Sequence, residues 1–383
     1  MNRRAGVRVF LLLWLGACGG GSPAKGPTPP DDTGGEGGGA STGGSGGQMT
    51  KPDAAAKPDV ATSEPDTGMT ATGGATGGAE AGVPTPDTAV EPDLGGGSAG
   101  EFPLAAVKAG KAALFGRVGT QTEGPSYRGG SVYFASDGNG LVRVDDTGKV
   151  FKYHPKLNPV GTYLLADGSM LVCEKAYTVV QVFKDGSVGS LFSAADHAKV
   201  DFCNDLTIDA KGDVYFTNPH NDTVWRLSVD GALDRVAALA NGAFPNGLEV
   251  DRAGTSLYLS ASGALWKIDL PASGNTFPAP QKVGPGGADG MAFDDWDHLW
   301  LSIYSSGQLV VWDPATKQTI ASISAGSASS TNVCFGDGAV YTTIFQKGVY
   351  KIPIAGIRGF LHKGADKYTI KQMLNLTPVN DPL

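Results

Sequence analysis

The chain has 383 residues, of which 57 are Gly and 24 Pro, with 18% charged residues and a formal net charge of −8. That balance argues against a nucleic-acid partner and a basic membrane-binding surface, and 4 Cys are too few for a disulfide-built scaffold. The charge is also uneven: about twelve acidic residues against three lysines fall between Gly19 and Phe102, and the rest of the chain is close to neutral.

Residues 1–18 read as a targeting segment. Arg3, Arg4 and Arg8 precede a short apolar run from Val9 to Leu15, the layout of a signal peptide. The run is much shorter than the roughly 20 apolar residues needed to span a bilayer. Leu15-Gly16-Ala17-Cys18 resembles a bacterial lipobox, which makes Cys18 the expected lipidated N-terminus. The expected location is therefore the cell envelope, with the membrane touched through a lipid anchor only. Residues 19–105 are dominated by Gly, Pro, Ala, Thr, Ser and Asp. Such a segment cannot bury enough apolar surface to offset the entropy of ordering it, so a disordered linker is expected, spanning roughly 50 Å as a flexible coil. Two motif matches inside it carry no chemistry. Gly43-Gly44-Ser45-Gly46-Gly47 fits a nucleophile elbow and Gly95 to Gly100 fits G-x-G-x-x-G, but both mechanisms need a strand before and a helix after.

From about residue 106 to 365 the text becomes β-rich. A core strand recurs as Val132-Tyr133-Phe134, Met170-Leu171-Val172, Val214-Tyr215-Phe216, Leu257-Tyr258-Leu259, Leu299-Trp300-Leu301 and Val340-Tyr341-Thr342, at steps of 38 to 44 residues. Each is followed by a second alternating run and a turn such as Asp146-Thr147-Gly148, Asp185-Gly186 or Asp230-Gly231. No helical period persists. Six units of this length predict an all-β, six-bladed β-propeller. Closure requires a strand from one terminus to complete a blade of the other. Ala112 to Val118 is the candidate and Tyr368 to Leu374 its competitor, with 366–383 left as a C-terminal strand or tail.

In a propeller, equivalent positions of the blades face one ring at the channel mouth. Just before each expected inner strand stand Glu123, Asn204, Asn246, Asp289 and Asn332, with only Gly161-Thr162 in the second unit. Carboxylate and amide oxygens are hard ligands suited to Ca²⁺, Mg²⁺ or Mn²⁺, and three or four of them leave positions for water or substrate. The five His (His154, His197, His220, His298 and His362) form no compact zinc pattern and read as core or surface residues, with His220 placed to line the mouth. If Cys18 is lipidated, at most one disulfide can form among Cys173, Cys203 and Cys334.

The motifs Glu123-Gly124-Pro125, Asn204-Asp205, Phe244-Pro245-Asn246-Gly247 and Asp289-Gly290-Met291, in this order, resemble the gluconolactonase/regucalcin (senescence marker protein)/LRE-like family. The likeness runs over roughly residues 112–355. It implies that Glu123, Asn246 and Asp289 bind a divalent cation, usually Ca²⁺ with Mg²⁺, Mn²⁺ or Zn²⁺ as substitutes. It further implies that Asn204 contacts the substrate or a metal-bound water and that Asp289 is the candidate catalytic base. Asn332 has no family role and is read as a support behind the ligands. The implied activity is hydrolysis of a lactone or related ester, a small-molecule substrate, by a monomer. Two positions differ from the pattern: Phe202 stands where some members carry Arg, and Lys175 where the gluconolactonase branch has His. They bear on the substrate more than on the ion. The alternative function is a non-catalytic propeller displayed at the surface as a ligand- or protein-binding module.

Overall fold

Short β-branched and aromatic runs cut by Asp- and Gly-containing turns form hairpins. In one such turn the Asp145 carboxylate accepts the N–H groups of Thr147 and Lys149, both at 3.0 Å, and Gly148 takes the left-handed φ of +84° that closes it. The structure, a computed structural model, describes residues 100–364 and 367–383. The signal peptide, Cys18 and most of the expected linker lie outside the described residues. No helix among the described residues is long and apolar enough to cross a membrane.

A short helix, α1 (Leu104–Ala109), leads into β1 (Ala113–Arg117). Blade one then comprises β2 (Thr122–Arg128), β3 (Ser131–Ser136), β4 (Gly140–Val144) and β5 (Val150–His154). Blade two comprises β6 (Pro159–Leu164), β7 (Met170–Glu174), β8 (Thr178–Val182) and β9 (Val188–Ser190). After α2 (Ala194–Val200), blade three is β10 (Leu206–Ile208), β11 (Val214–Asn218), β12 (Thr223–Leu227) and β13 (Leu233–Ala238). Blade four is β14 (Leu248–Val250), β15 (Ser256–Ala261), β16 (Ala264–Asp269) and β17 (Gln281–Pro285). Blade five is β18 (Ala288–Phe293), β19 (Leu299–Ile303), β20 (Gln308–Asp313) and β21 (Gln318–Ser324). The last blade holds β22 (Ser330–Gly336), β23 (Ala339–Ile344) and β24 (Gly348–Pro353), and β1 is its fourth strand. The expected closure by residues 112–118 is therefore found, with Ala113 opposite Lys351 and Leu114 opposite Tyr350. The competing C-terminal segment adds outer fifth strands instead: β25 (Gln372–Leu374) on blade two and β26 (Asp381–Pro382) on blade one. The architecture is the expected six-bladed propeller.

Two points differ from the sequence reading. The recurring Val-Tyr-Phe-type segment is the second strand of each blade; the innermost strands are β2, β6, β10, β14, β18 and β22. The second strands are buried on both faces, every residue of β3, β7, β11 and β15 being buried, so their apolar runs dominate the text. The innermost strands are short or interrupted by register shifts, at Glu123/Ser126, Pro159/Thr162, Ala288/Met291 and Ser330/Asn332, which breaks the alternation. The second difference is helical. α1 and α2 have 6 and 7 residues, too few to show a 3.6-residue period. α1 inserts Val107, fully buried, into the apolar cluster of the last two blades. α2 begins at Ser193, whose hydroxyl accepts the Asp196 N–H.

The cores lie between blades, where Tyr133, Phe134, Tyr215, Phe216, Trp300, Trp312 and Tyr341 are almost wholly buried. The channel widens towards the end away from the starts of the innermost strands, into a cavity of about 110 Å³. There Arg358 ion-pairs with Asp295 at 3.0 Å, and Ile357 to Leu361 line the wall.

Candidate functional site

Glu123, Asn204, Asn246, Asp289 and Asn332 meet at one small cavity at the mouth of the channel, joined by Asp205. They come from five of the six blades. Three sit on bulged segments, since the register shifts of β2, β18 and β22 fall at Glu123, Asp289 and Asn332. A bulge places an extra residue against one partner and re-aims its side chain, and here the re-aimed side chains are the polar ones. Asn204 and Asn246 instead precede the three-residue strands β10 and β14. Their N–H groups donate to Thr217 O and Ser260 O, each at 2.9 Å, and fix the backbone just outside the regular ladder.

The glycines in the motifs set how closely the strands approach. A Cβ at Gly290 would overlap the Asn332 side chain, and one at Gly247 would overlap the Asp289 carbonyl oxygen, to which Gly247 N–H donates at 2.6 Å. A residue with a side chain after Asn246 or Asp289 would push the blades apart and separate the converging polar side chains. The same crowding accounts for the second blade, which offers no polar side chain. A Cβ at Gly161 would lie 2.8 Å from Asp205 Oδ1, so the space is already taken by the neighbouring blade.

Hydrogen bonds hold the set. Asn246 Nδ2 donates to Asp289 Oδ1. Asn332 Nδ2 donates to Asp205 Oδ2 at 3.2 Å, and its Oδ1 accepts Val333 N–H at 2.8 Å. Asp205 Oδ1 accepts Leu206 N–H at 3.0 Å. Ser260 hydroxyl donates to Ala288 O at 2.6 Å, and Thr331 hydroxyl to Thr122 O at 2.9 Å, tying the segments on either side of the ligands. Asn332 thus lines the cavity and is hydrogen-bonded to Asp205.

The electrostatics are those of a site short of positive charge. Burial first, then the charges of Asp289 and Asp205, hold the Glu123 carboxyl well above the usual carboxylate range. Burial and then Asp205 push Asp289 up to about 8. Burial pushes Asp205 up to about 7 against its hydrogen bonds from Leu206 and Asn332. No Lys or Arg lines this cavity. Among the described residues no group of three or more His, Cys, Asp or Glu could by itself hold a metal ion. The convergent set is mixed, carboxylate with amide, and its all-oxygen chemistry and uncompensated negative charge fit a hard divalent cation. Asp205 and a fourth buried carboxyl, Glu249, were not singled out from the sequence. Asp205 had a signal, being adjacent to Asn204. Glu249 had none, because its apolar neighbours read as plain core.

Residues 121–345 match the model of the SMP-30/gluconolactonase/LRE-like region. The chain belongs to this family. No curated protein sequence matches the chain. Among solved structures, a gluconolactonase from Xanthomonas campestris is 18% identical, with a TM-score of 0.55 over 64% of this chain and 89% of its own. A luciferin-regenerating enzyme is 16% identical, with a TM-score of 0.55 over 67% and 99%. The calcium-binding protein regucalcin from Agrobacterium tumefaciens is 16% identical, with a TM-score of 0.52 over 67% and 97%. At these identities the likeness is one of fold.

Cys173, on β7, is disulfide-bonded to Cys203, the residue just before Asn204, and Cys334 remains a thiol. One pair among the three cysteines is what the count allowed. Asn218, at the end of β11, is fully buried. Its amide donates to Val200 O and to Asp201 Oδ1, the latter at 2.8 Å, and so secures the end of α2. Phe202, in place of Arg, stacks on the exposed ring of His220 with centroids 4.1 Å apart. His220 is exposed, and the other four histidines are held elsewhere, by Thr178 (His197), Asp294 (His298), the Asp251 carbonyl (His362) and burial (His154).

Proposed function

We propose that the channel mouth is a divalent-cation site, with Ca²⁺ the expected ion, at which a lactone or related cyclic ester is hydrolysed. The observation that carries this reading is the meeting of Glu123, Asn246 and Asp289, with Asn204 beside them, at one cavity lined by carboxyl groups and no cationic side chain. Glu123, Asn246 and Asp289 would hold the ion. When bound, it polarises the ester carbonyl and stabilises the negative charge that develops on its oxygen. Asn246 donates to Asp289 Oδ1, which fixes the carboxyl plane and leaves Oδ2 to receive a proton. As the oxygen of water bonds to the carbonyl carbon, its proton passes to Asp289 Oδ2. The ring C–O bond then breaks, and the proton moves to the departing oxygen, giving a hydroxy acid. Asn204 supplies an amide donor and acceptor for the substrate. A carboxylate that also holds a cation is a weak base, so most of the acceleration comes from charge and positioning.

The chain's own disulfide supports an oxidising compartment, in keeping with a lipid anchor at Cys18 and the cell envelope. The test is a lactone panel assayed with and without chelator, with bound metal quantified. Asp289→Asn is expected to lower turnover by about 10³-fold with an unchanged circular-dichroism spectrum. Full activity in that variant removes Asp289 from the mechanism, and metal-loaded protein that turns over no lactone or ester removes the hydrolase.

A further inference from the structure

The mouth of the channel carries aromatic rings on four successive blades. Phe202 lies two residues before Asn204, and Phe244 two residues before Asn246. Tyr304 follows β19 directly, and the last residue of that strand, Ile303, pairs with Ala288 beside Asp289. Phe345 follows β23, and the carbonyl of its neighbour Ile344 accepts the hydroxyl of Thr122 beside Glu123. All four therefore belong to the end of the propeller where the polar ring opens.

Phe244 is the informative one. It is 47% exposed, one of very few large apolar side chains so placed among the described residues. Its φ is +50°, a left-handed conformation that bulky residues seldom adopt. The loop is held there by Asp222, which is nearly buried. Asp222 Oδ1 accepts the N–H of Phe244 and Oδ2 that of Gly242, both at 2.8 Å. Strain of this kind persists only where surrounding contacts impose it, and what it does here is hold an aromatic ring out in solvent beside a proposed ligand. Phe202 is already stacked on His220. Tyr304 meets Phe345 edge to face, with ring centroids 6.1 Å apart. Of the lysines on the loops at this end, Lys175 faces Asp137 at 3.9 Å and Lys347 donates to Ser327. A polyhydroxylated ring would need donors and acceptors where Phe244 holds out an apolar ring.

Resting on the hydrolase reading above, we infer that the substrate is a lactone bearing an apolar substituent, aryl or alkyl. The substituent lies against Phe202, Phe244 and Tyr304 while the ester group reaches the polar ring. Phe202, Phe244 and Tyr304 determine specificity and take no part in the bond changes.

The test measures kcat and KM of the full chain, loaded with Ca²⁺, on dihydrocoumarin, a γ-alkyl butyrolactone and D-glucono-δ-lactone. The expected result is a kcat/KM at least about tenfold higher for the two apolar lactones than for the sugar lactone. Phe244→Ala is expected to raise KM for dihydrocoumarin about tenfold with little change in kcat, the pattern of lost uniform binding. A preference for the sugar lactone, or equal KM changes on all three substrates, overturns the inference. Calorimetry with the dihydrocoumarin lactam, which does not hydrolyse, separates its failure from that of the hydrolase. Lactam binding weakened by Phe244→Ala, in a protein that turns over no lactone, sustains the aromatic collar and overturns the hydrolase. Lactam binding that Phe244→Ala leaves unchanged overturns the collar.

Discussion

Glu249 shows how much a single buried carboxyl can tell. It sits on β14, 7% exposed, and accepts the hydroxyl of Thr207 from the neighbouring blade. Burial pushes it up to about 8 from an ordinary value near 4.5. The folded chain therefore keeps this proton to higher pH than the unfolded chain does. The group's contribution to stability is complete below about pH 4.5 and is lost as pH rises towards 8. Glu249→Gln keeps a polar partner for Thr207 and cannot ionise, so its stability relative to the parent is expected to rise between pH 5 and pH 8. Urea unfolding at the two pH values measures this, and a stability difference that stays constant removes Glu249 from the pH response. At this scale the sequence was partly legible. Glu123, Asn246 and Asp289 stand in motifs whose glycines mark close approach, Asn204 and Asn332 hold the equivalent positions in their blades, and all five meet. Glu249 was not legible, because nothing in Gly247-Leu248-Glu249-Val250 distinguishes a carboxyl turned to the channel from one turned to solvent.

The innermost strands are elements shaped by what they carry. Their bulges interrupt alternation where the polar residues stand, so the regular second strands dominate the sequence pattern. The segment from α2 to β10 is built differently. It is held at one end by the Asn218 amide on Asp201 and at the other by the Cys173–Cys203 bond, with Asn204 and Asp205 immediately after. The bridge closes a separation of 30 residues, for which chain-entropy arguments give about 3–4 kcal/mol. Cys203→Ser is expected to lower the unfolding free energy by about that amount and to weaken Ca²⁺ binding. Denaturant unfolding and calorimetry measure the two effects. Unchanged Ca²⁺ affinity in the variant separates the bridge from the site. The pairing was not legible, because three cysteines spaced across two blades and beyond leave the choice to the fold.

At the scale of the molecule, repetition made the six blades legible, since a fixed step of strands and turns survives differences in every residue. Closure was legible only as two candidates. The N-terminal strand prevails because β1 continues the edge of β24, and Val118 and the partly buried Phe115 join a cluster with Val144, Tyr341 and Val349. A chain beginning at Gly119 leaves β24 as an open edge and uncovers that cluster. It is expected to unfold more than about 10 °C lower and to bind an apolar dye, and scanning calorimetry with dye fluorescence measures both. A truncated chain as stable as the parent removes β1 from the list of essential strands.

The pairing of Ala113 with Lys351 has a further consequence for the order of events in the cell. During synthesis the first strand emerges long before its partner exists, so the ring cannot shut while the polypeptide is still leaving the ribosome. A protein latched in this way reaches its closed form only after its last blade has been made.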